Sequence, residues 1–183
     1  MIYMFLAEGF EEIEALCPLD LMRRAGLDVA TVGIGGENVT GAHSITVKAD
    51  MSEAEFLASS PSKSVDMIFL PGGMPGTLNL EASETVCDAI RSAYEEKKYI
   101  AAICAAPSIL GKMGMLIGKN AICYPGFERY LEGATVSDER VVLDGNILTA
   151  AGMGVALDIG LKIVELFCGS EKANAMRSAV IAD

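Results

Sequence analysis

Hydrophobic residues in this chain occur in two patterns, which alternate along its length. Short continuous apolar runs predict buried strands, and they cover residues 2–7, 28–34, 65–70 and 99–103, with shorter runs at 121–124, 141–143 and 147–149. Apolar positions spaced three or four residues apart predict helices at 11–25 and 83–97, from 105 onward, and at 154–167 and 171–179. Residues 38–49 read as a hairpin with Gly41 at or near its turn.

This order of elements predicts the fold class. Nearly all-apolar strands that alternate with helices indicate a mostly parallel sheet covered by helices on both faces. The chain has no evident linker, repeat or low-complexity stretch, so we expect one domain over residues 1–183. In such sheets, reactive groups collect at the carboxyl ends of the strands. Three predicted strands end there in short motifs: Ala7-Glu8-Gly9, Pro71-Gly72-Gly73 and Cys104-Ala105.

Composition and charge exclude several classes of partner. The net charge of -11 opposes binding to nucleic acid, because that binding depends on Lys and Arg displacing counterions. No apolar run approaches the roughly eighteen residues needed to cross a membrane. The first residues also lack the basic start and long apolar core of a signal peptide. We therefore expect a soluble, cytoplasmic protein.

The cysteines do not form a metal-binding or disulfide pattern. There are five, at positions 17, 87, 104, 123 and 168, with no Cys-x-x-Cys pair and no cluster with histidine. We expect no metal, and we expect most of these thiols to be small, buried and inert.

Cys104 differs from the other cysteines in its position at a predicted strand-to-helix corner. The first amides of the following helix would stabilise a thiolate there and lower its pKa from about 8.5 toward neutrality. The amides of Gly73 and Ala105 are candidates to hold a developing oxyanion. The alternative is that Cys104 only fills space and that the two glycines after the strand only make a tight turn.

Carboxyl groups at the start of the first helix are the second candidate feature. Solvent exposure is the default expectation for Glu11 and Glu12 near a helix N-terminus. Glu14 falls at the edge of the apolar stripe, where a carboxyl must be protonated or hydrogen-bonded. His43, the only histidine, is expected to face solvent in the hairpin rather than to pair with Cys104.

Taken together, the motifs resemble the DJ-1/ThiJ/PfpI superfamily, in the branch of the Parkinson-associated protein deglycase and its bacterial relatives. The similarity runs nearly end to end and is carried by AEGFEEIE (7–14), DLMRRAG (20–26), FLPGGMPG (69–76), AAICAAP (101–107) and ILTAAG (147–152). The resemblance implies a flavodoxin-like three-layer sandwich that forms homodimers. It also implies Cys104 as nucleophile, Glu14 as the acid beside the sulfur, and the amides of Gly73 and Ala105 as oxyanion donors.

The resemblance raises the question of how Cys104 is activated without a histidine. An ionised Glu14 would repel a thiolate, whereas a protonated Glu14 can donate its hydrogen to the sulfur, and the two groups then titrate as a pair. Peptidase-like members carry a histidine directly after the nucleophile, where this chain has Ala105. Deglycase-type members often carry a histidine where this chain has Tyr124, and a phenol donates a hydrogen bond but is a poor base near neutral pH.

These features favour a cysteine-dependent, cofactor-independent glyoxalase or deglycase. Its substrates would be small α-oxoaldehydes such as methylglyoxal, or their early glycation adducts. The alternative is an oxidative-stress sensor or chaperone-like protein in which Cys104 is oxidised to a sulfinate. Thiamin biosynthesis and peptidase activity, both attached to members of the superfamily, find less support in these residues.

Overall fold

A seven-stranded sheet forms the centre of the protein, in a computed structural model that describes residues 1–59 and 65–182. Its strands are β1 (Ile2–Leu6), β2 (Val29–Gly33), β5 (Met51–Ser52), β6 (Met67–Leu70), β7 (Tyr99–Ile103), β10 (Val141–Asp144) and β11 (Ile147–Ala150). They lie in the order β10-β11-β7-β6-β1-β2-β5, and every neighbouring pair is parallel except β10 with β11. The predicted α/β class with a mostly parallel sheet is confirmed.

Helices cover both faces of this sheet. They are α1 (Glu12–Ala25), α2 (Glu53–Ala58), α3 (Gly76–Ala82), α4 (Glu84–Glu95), α5 (Pro107–Lys112), α6 (Ala156–Cys168) and α7 (Ser170–Ala179). Alternate residues of β1 point to opposite sides, so Met4 packs with α1 and α6, while Phe5 packs with α2, α4 and α5. Helix α7 packs outside α1 and α6 through Met176. Across the described residues, no helix has both the length and the apolar character needed to span a membrane.

Two smaller strand pairs lie outside the main sheet. Strands β3 (Asn38–Thr40) and β4 (Thr46–Lys48) form the predicted hairpin, with Gly41 directly after β3. Strands β8 (Asn120–Ala121) and β9 (Thr135–Val136) form a short parallel pair.

The strand predicted at 121–124 is wrong beyond Ala121. The amide of Ile122 donates to the Thr149 hydroxyl over 3.0 Å, and the amide of Tyr124 donates to the Cys104 carbonyl over 2.8 Å. These bonds replace strand pairing and bring Tyr124 to the corner that carries Cys104.

The topology brings the three predicted motifs together. Strand β6 lies between β1 and β7, and all three run in the same direction. Their carboxyl ends therefore open at one edge of the sheet, where residues 7–9, 71–73 and 104–105 meet. Helix α1 begins at this edge, with the Glu11 side chain accepting a hydrogen bond from the Glu14 amide over 2.7 Å.

Candidate active site

Cys104 occupies a strained backbone position directly after β7. Its φ of 65° lies in the left-handed region, which costs energy for a residue with a side chain. Its amide donates to the Ala150 carbonyl over 2.9 Å, which fixes the corner against β11. The residue is only partly buried, so the thiol remains within reach of a small molecule. This is the geometry of a nucleophile elbow.

Glu14 reaches the same point from the first turn of α1 and is 1 % exposed. Its Oε2 accepts a hydrogen bond from the Gly72 amide over 3.0 Å, and its carboxyl also bonds with the Cys104 thiol and the Met153 amide. Burial raises the pKa of Glu14 from 4.5 to about 7, because desolvation disfavours the charged form, and the charge of Glu11 adds to the rise. The structure therefore places Glu14 beside Cys104, where the family resemblance implied it.

Glycines allow the turn after β6 to approach both groups. A Cβ on Gly72 would lie 2.5 Å from Glu14 Oε2 and 2.7 Å from the Cys104 Cβ, so any side chain there would displace one of them. Gly73 has a φ of 93°, and its amide, like that of Ala105, is directed at the Cys104 sulfur. The two amides named from the sequence thus converge on the thiol.

With Glu14 ionised, the pKa of the Cys104 thiol is raised, as expected for that form of Glu14, and is not lowered as the position before a helix alone suggested. Burial, followed by the charge of Glu14, raises the pKa of the Cys104 thiol to about 12, and the amides of Ala105 and Gly73 only partly oppose this. Helix α5 is too distant and short to compensate, because it begins at Pro107 and has six residues. Protonation of Glu14 removes the repulsion and supplies a hydrogen-bond donor to the thiolate, while the effect of burial remains.

Tyr124 stands at the entrance, with 51 % of its surface exposed. A Cβ on Gly152 would lie 3.3 Å from the Tyr124 ring and 3.8 Å from Glu14 Oε1, so the Tyr124 ring and the Glu14 carboxyl both lie beside this glycine. Sequence reasoning missed Gly152 and Met153 because they approach Glu14 through backbone atoms, which no residue type reveals.

Glu12 and His43 form a second polar group beside the site. The expectation that Glu12 is exposed is wrong: it is 2 % exposed, since its carboxylate accepts bonds from the His43 amide over 2.7 Å and from the His43 ring over 2.8 Å. Burial acts to raise the pKa of Glu12, but these bonds outweigh it and the pKa is lowered. His43 faces solvent as expected, and its bond to Glu12 raises its own pKa.

Glu11, Glu12 and His43 form the one group in the described residues whose possible metal-ligating atoms all lie within 4.8 Å of one another. Glu11 caps α1 and Glu12 holds the hairpin, so both carboxylates already have structural hydrogen bonds. We assign no metal to this group.

Comparison with known proteins places this geometry in a family. The DJ-1/PfpI family model matches residues 1–166. The protein dj-1beta of Drosophila melanogaster is 37% identical over 179 residues, which cover 96% of this chain and 94% of that protein. The glutathione-independent glyoxalase DJR-1.2 of Caenorhabditis elegans is 31% identical over 92% of this chain and 89% of its own length. Among solved structures, oxidized Toxoplasma gondii DJ-1 superposes with a TM-score of 0.91 at 30% identity, covering 98% of this chain and 97% of that one.

Proposed function

Because the chain belongs to the DJ-1/PfpI family, we propose that it is a glutathione-independent glyoxalase of the deglycase type. The substrates we propose are methylglyoxal-like α-oxoaldehydes or their early glycation adducts. One observation carries the proposal: the buried Glu14 carboxyl bonds with the Cys104 thiol, at which the amides of Gly73 and Ala105 are also directed. The similarity to a glyoxalase from Caenorhabditis elegans supports the same reaction class.

The proposed reaction begins with the thiolate of Cys104 adding to the aldehyde carbon of methylglyoxal. The carbonyl oxygen becomes an oxyanion, and the amides of Gly73 and Ala105 stabilise it. The product of this step is a hemithioacetal. In the resting pair the protonated Glu14 donates a hydrogen bond to the thiolate. After the addition Glu14 transfers this proton to the oxyanion, which gives the hemithioacetal hydroxyl and leaves Glu14 as a carboxylate base for the next step.

Glu14 then moves a proton from the former aldehyde carbon to the neighbouring carbonyl carbon, and the hydroxyl proton on the first carbon passes to the oxygen of the second. The first carbon is thereby oxidised to a thioester and the second is reduced to an alcohol, so the electrons balance within the substrate. Water hydrolyses the thioester, releases lactate and restores the thiol. In this scheme Tyr124 donates a hydrogen bond to the substrate oxygen, and no cofactor takes part.

A redox role for the same thiol is the alternative. The amides that hold an oxyanion would also hold a sulfinate on Cys104, and the similar Toxoplasma gondii DJ-1 structure is of an oxidized form.

We also propose a cytoplasmic homodimer. The five cysteines all lie in the described residues and form no disulfide, which is typical of a reducing compartment such as the cytoplasm. The exposed Ile13 on α1 offers an apolar contact for the second copy in a homodimer.

Lactate production from methylglyoxal without glutathione tests the proposal. The wild type should form lactate, and Cys104→Ser should form none. Folded wild-type protein that forms no lactate, but whose Cys104 is readily oxidised by peroxide to a sulfinate, would favour the redox role instead.

A further inference from the structure

A cavity of about 210 Å³ lies between α3, α5 and the 3-10 turn Glu128–Tyr130. Its lining includes Thr77 and Ser108, which are 1 % and 2 % exposed, and the side chains of Lys112, Arg129 and Tyr130. None of these residues belongs to the set proposed for catalysis.

Two hydrogen bonds link the cavity to the candidate active site. The Thr77 amide donates to the Gly73 carbonyl over 2.9 Å, and the Ser108 hydroxyl donates to the Ala105 carbonyl over 2.7 Å. Gly73 and Ala105 are the residues whose amides are directed at the Cys104 sulfur. The cavity wall is therefore bonded directly to the two peptide segments that position the reacting atoms.

Thr77 also has an unsatisfied polar group. Its Oγ1 is the one buried side-chain oxygen or nitrogen in residues 1–59 and 65–182 that has no hydrogen-bond partner. Buried hydroxyls are nearly always paired, because an unpaired one loses its bonds to water without replacement. Thr77 lines the cavity, so rotation of its side chain about χ1 would bring the hydroxyl to an acceptor oxygen of a ligand there.

The charges around the cavity favour an anion. Arg129 has no carboxylate within 4.0 Å among the described residues. Its Nη2 donates to the Tyr130 hydroxyl over 2.9 Å, and its guanidinium lies 4.7 Å from the centre of the Tyr130 ring. Lys112 is paired with Glu81 over 2.7 Å, and the Glu128 carboxylate accepts the Gly126 amide over 2.7 Å. Glu81 is thus paired with a cation, whereas the guanidinium of Arg129 retains donors beyond the one bonded to Tyr130.

We propose that this cavity is a subsite for the phosphate group of a phosphorylated α-oxoaldehyde substrate. Arg129 binds the phosphate oxygens and Thr77 donates its hydroxyl to one of them, since a guanidinium and a hydroxyl together match phosphate geometry. The identity of the substrate as an α-oxoaldehyde rests on the proposed function, whereas the binding of phosphate in the cavity does not.

The chemistry follows the scheme for methylglyoxal with the phosphate unchanged. A three-carbon substrate with an aldehyde, a neighbouring ketone and a phosphate ester on the third carbon takes up one water. Its aldehyde carbon is oxidised to a carboxylate and its ketone carbon is reduced to an alcohol, which gives a phosphorylated 2-hydroxy acid. No external oxidant or reductant is required.

Two measurements on the full chain test the subsite. Calorimetric titration with inorganic phosphate measures binding without any turnover. The ratio of kcat/KM for the phosphorylated substrate to kcat/KM for methylglyoxal measures whether the subsite contributes to the reaction. The variants are Arg129→Gln, which removes an exposed charge, Thr77→Val, which removes the unpaired hydroxyl at constant shape, and Lys172→Gln as an exposed control on α7.

We expect phosphate binding to weaken about tenfold in Arg129→Gln and severalfold in Thr77→Val, with Lys172→Gln unchanged. The preference for the phosphorylated substrate should fall in parallel, while kcat/KM for methylglyoxal stays constant. Equal phosphate affinity in wild type and Arg129→Gln, or no measurable phosphate binding, would overturn the subsite. Phosphate binding that depends on Arg129 in a protein that turns over neither aldehyde would retain the subsite and reject the proposed function.

Discussion

The Gly72 amide donates a hydrogen bond to Glu14 Oε2 over 3.0 Å and thereby joins the turn after β6 to the buried carboxyl of α1. The same carboxyl bonds with Cys104, so three elements of the fold meet at one titrating group. In the proposed reaction the reactivity of Cys104 depends on the proton of Glu14 and on the backbone that holds both groups in place.

Replacing Glu14 with Gln should change how stability depends on pH. The pKa of Glu14 is raised from 4.5 to about 7 in the folded protein, so its favourable contribution is complete below pH 4.5 and is lost as the pH rises to about 7. Relative to Glu14→Gln, the wild type should lose about 3 kcal/mol of unfolding free energy over that interval.

Urea denaturation at several pH values measures this difference. An exposed substitution, Glu132→Gln, controls for the general effect of pH on the folded chain. Parallel stability curves for the wild type and Glu14→Gln would mean that Glu14 is not held protonated by burial.

Gly72→Ala should both destabilise the protein and disturb the site. The new methyl group would lie 2.5 Å from Glu14 Oε2 and 2.9 Å from the Ile103 carbonyl, so the turn or the carboxyl must move. We expect a loss of about 2–3 kcal/mol by denaturant titration, together with slower alkylation of Cys104.

Gly154→Ala is the matched control, because its Cβ would meet only the terminal nitrogen of the long Arg140 side chain at 3.2 Å, and that nitrogen can shift with its bond to the Gly154 carbonyl. Its stability should change by less than about 1 kcal/mol. Similar losses for the two alanine variants would show that Gly72 has no special packing role.

The backbone strain at Cys104 predicts an unusual order of stability. Glycine adopts a φ of 65° without strain and alanine does not, so Cys104→Gly should be more stable than Cys104→Ala by about 1 kcal/mol. At Cys123, which does not have a positive φ, the order should reverse. Thermal denaturation of the four variants gives both comparisons, and the same order at both positions would exclude strain at the elbow.

Tyr124 should assist turnover without carrying the proton. If Glu14 alone moves the proton, Tyr124→Phe removes one hydrogen bond and should lower kcat/KM for methylglyoxal by about tenfold or less. Tyr124→His places a base at the same entrance and should retain or raise the rate. A loss of more than about a hundredfold in Tyr124→Phe would identify the phenol as an essential proton carrier.

The sequence predicted those parts of the site that depend on residue type and strand ends. Cys104 and Glu14 were identifiable as candidates because a thiol at a strand end and a carboxyl at the edge of an apolar stripe are chemically unusual, and the family resemblance implied that the two lie together. The burial of Glu12 was not, because it depends on the β3–β4 turn folding back so that the His43 amide reaches the carboxylate. The short helix α2 was also missed, although Ser52 and Glu55 form a capping box at its start.

The sequence also did not predict how strongly burial raises the pKa of the Cys104 thiol. A helix after Cys104 was predictable, but its start at Pro107 and its length of six residues were not. The balance between desolvation and amide donors depends on those distances, and in the structure burial outweighs the amides of Ala105 and Gly73.

The rate of Cys104 alkylation as a function of pH tests the central claim most directly. It should be measured on the wild type, Glu14→Gln and Glu14→Leu. The same three proteins with the additional substitution Cys104→Ser give the background rate. Burial raises the pKa of Glu14 to about 7, and we predict that the alkylation rate of the wild type rises with a midpoint near this value. The midpoint should move to higher pH in Glu14→Gln and further in Glu14→Leu. Three superimposable profiles would contradict the account, because Cys104 would then ionise without help from Glu14.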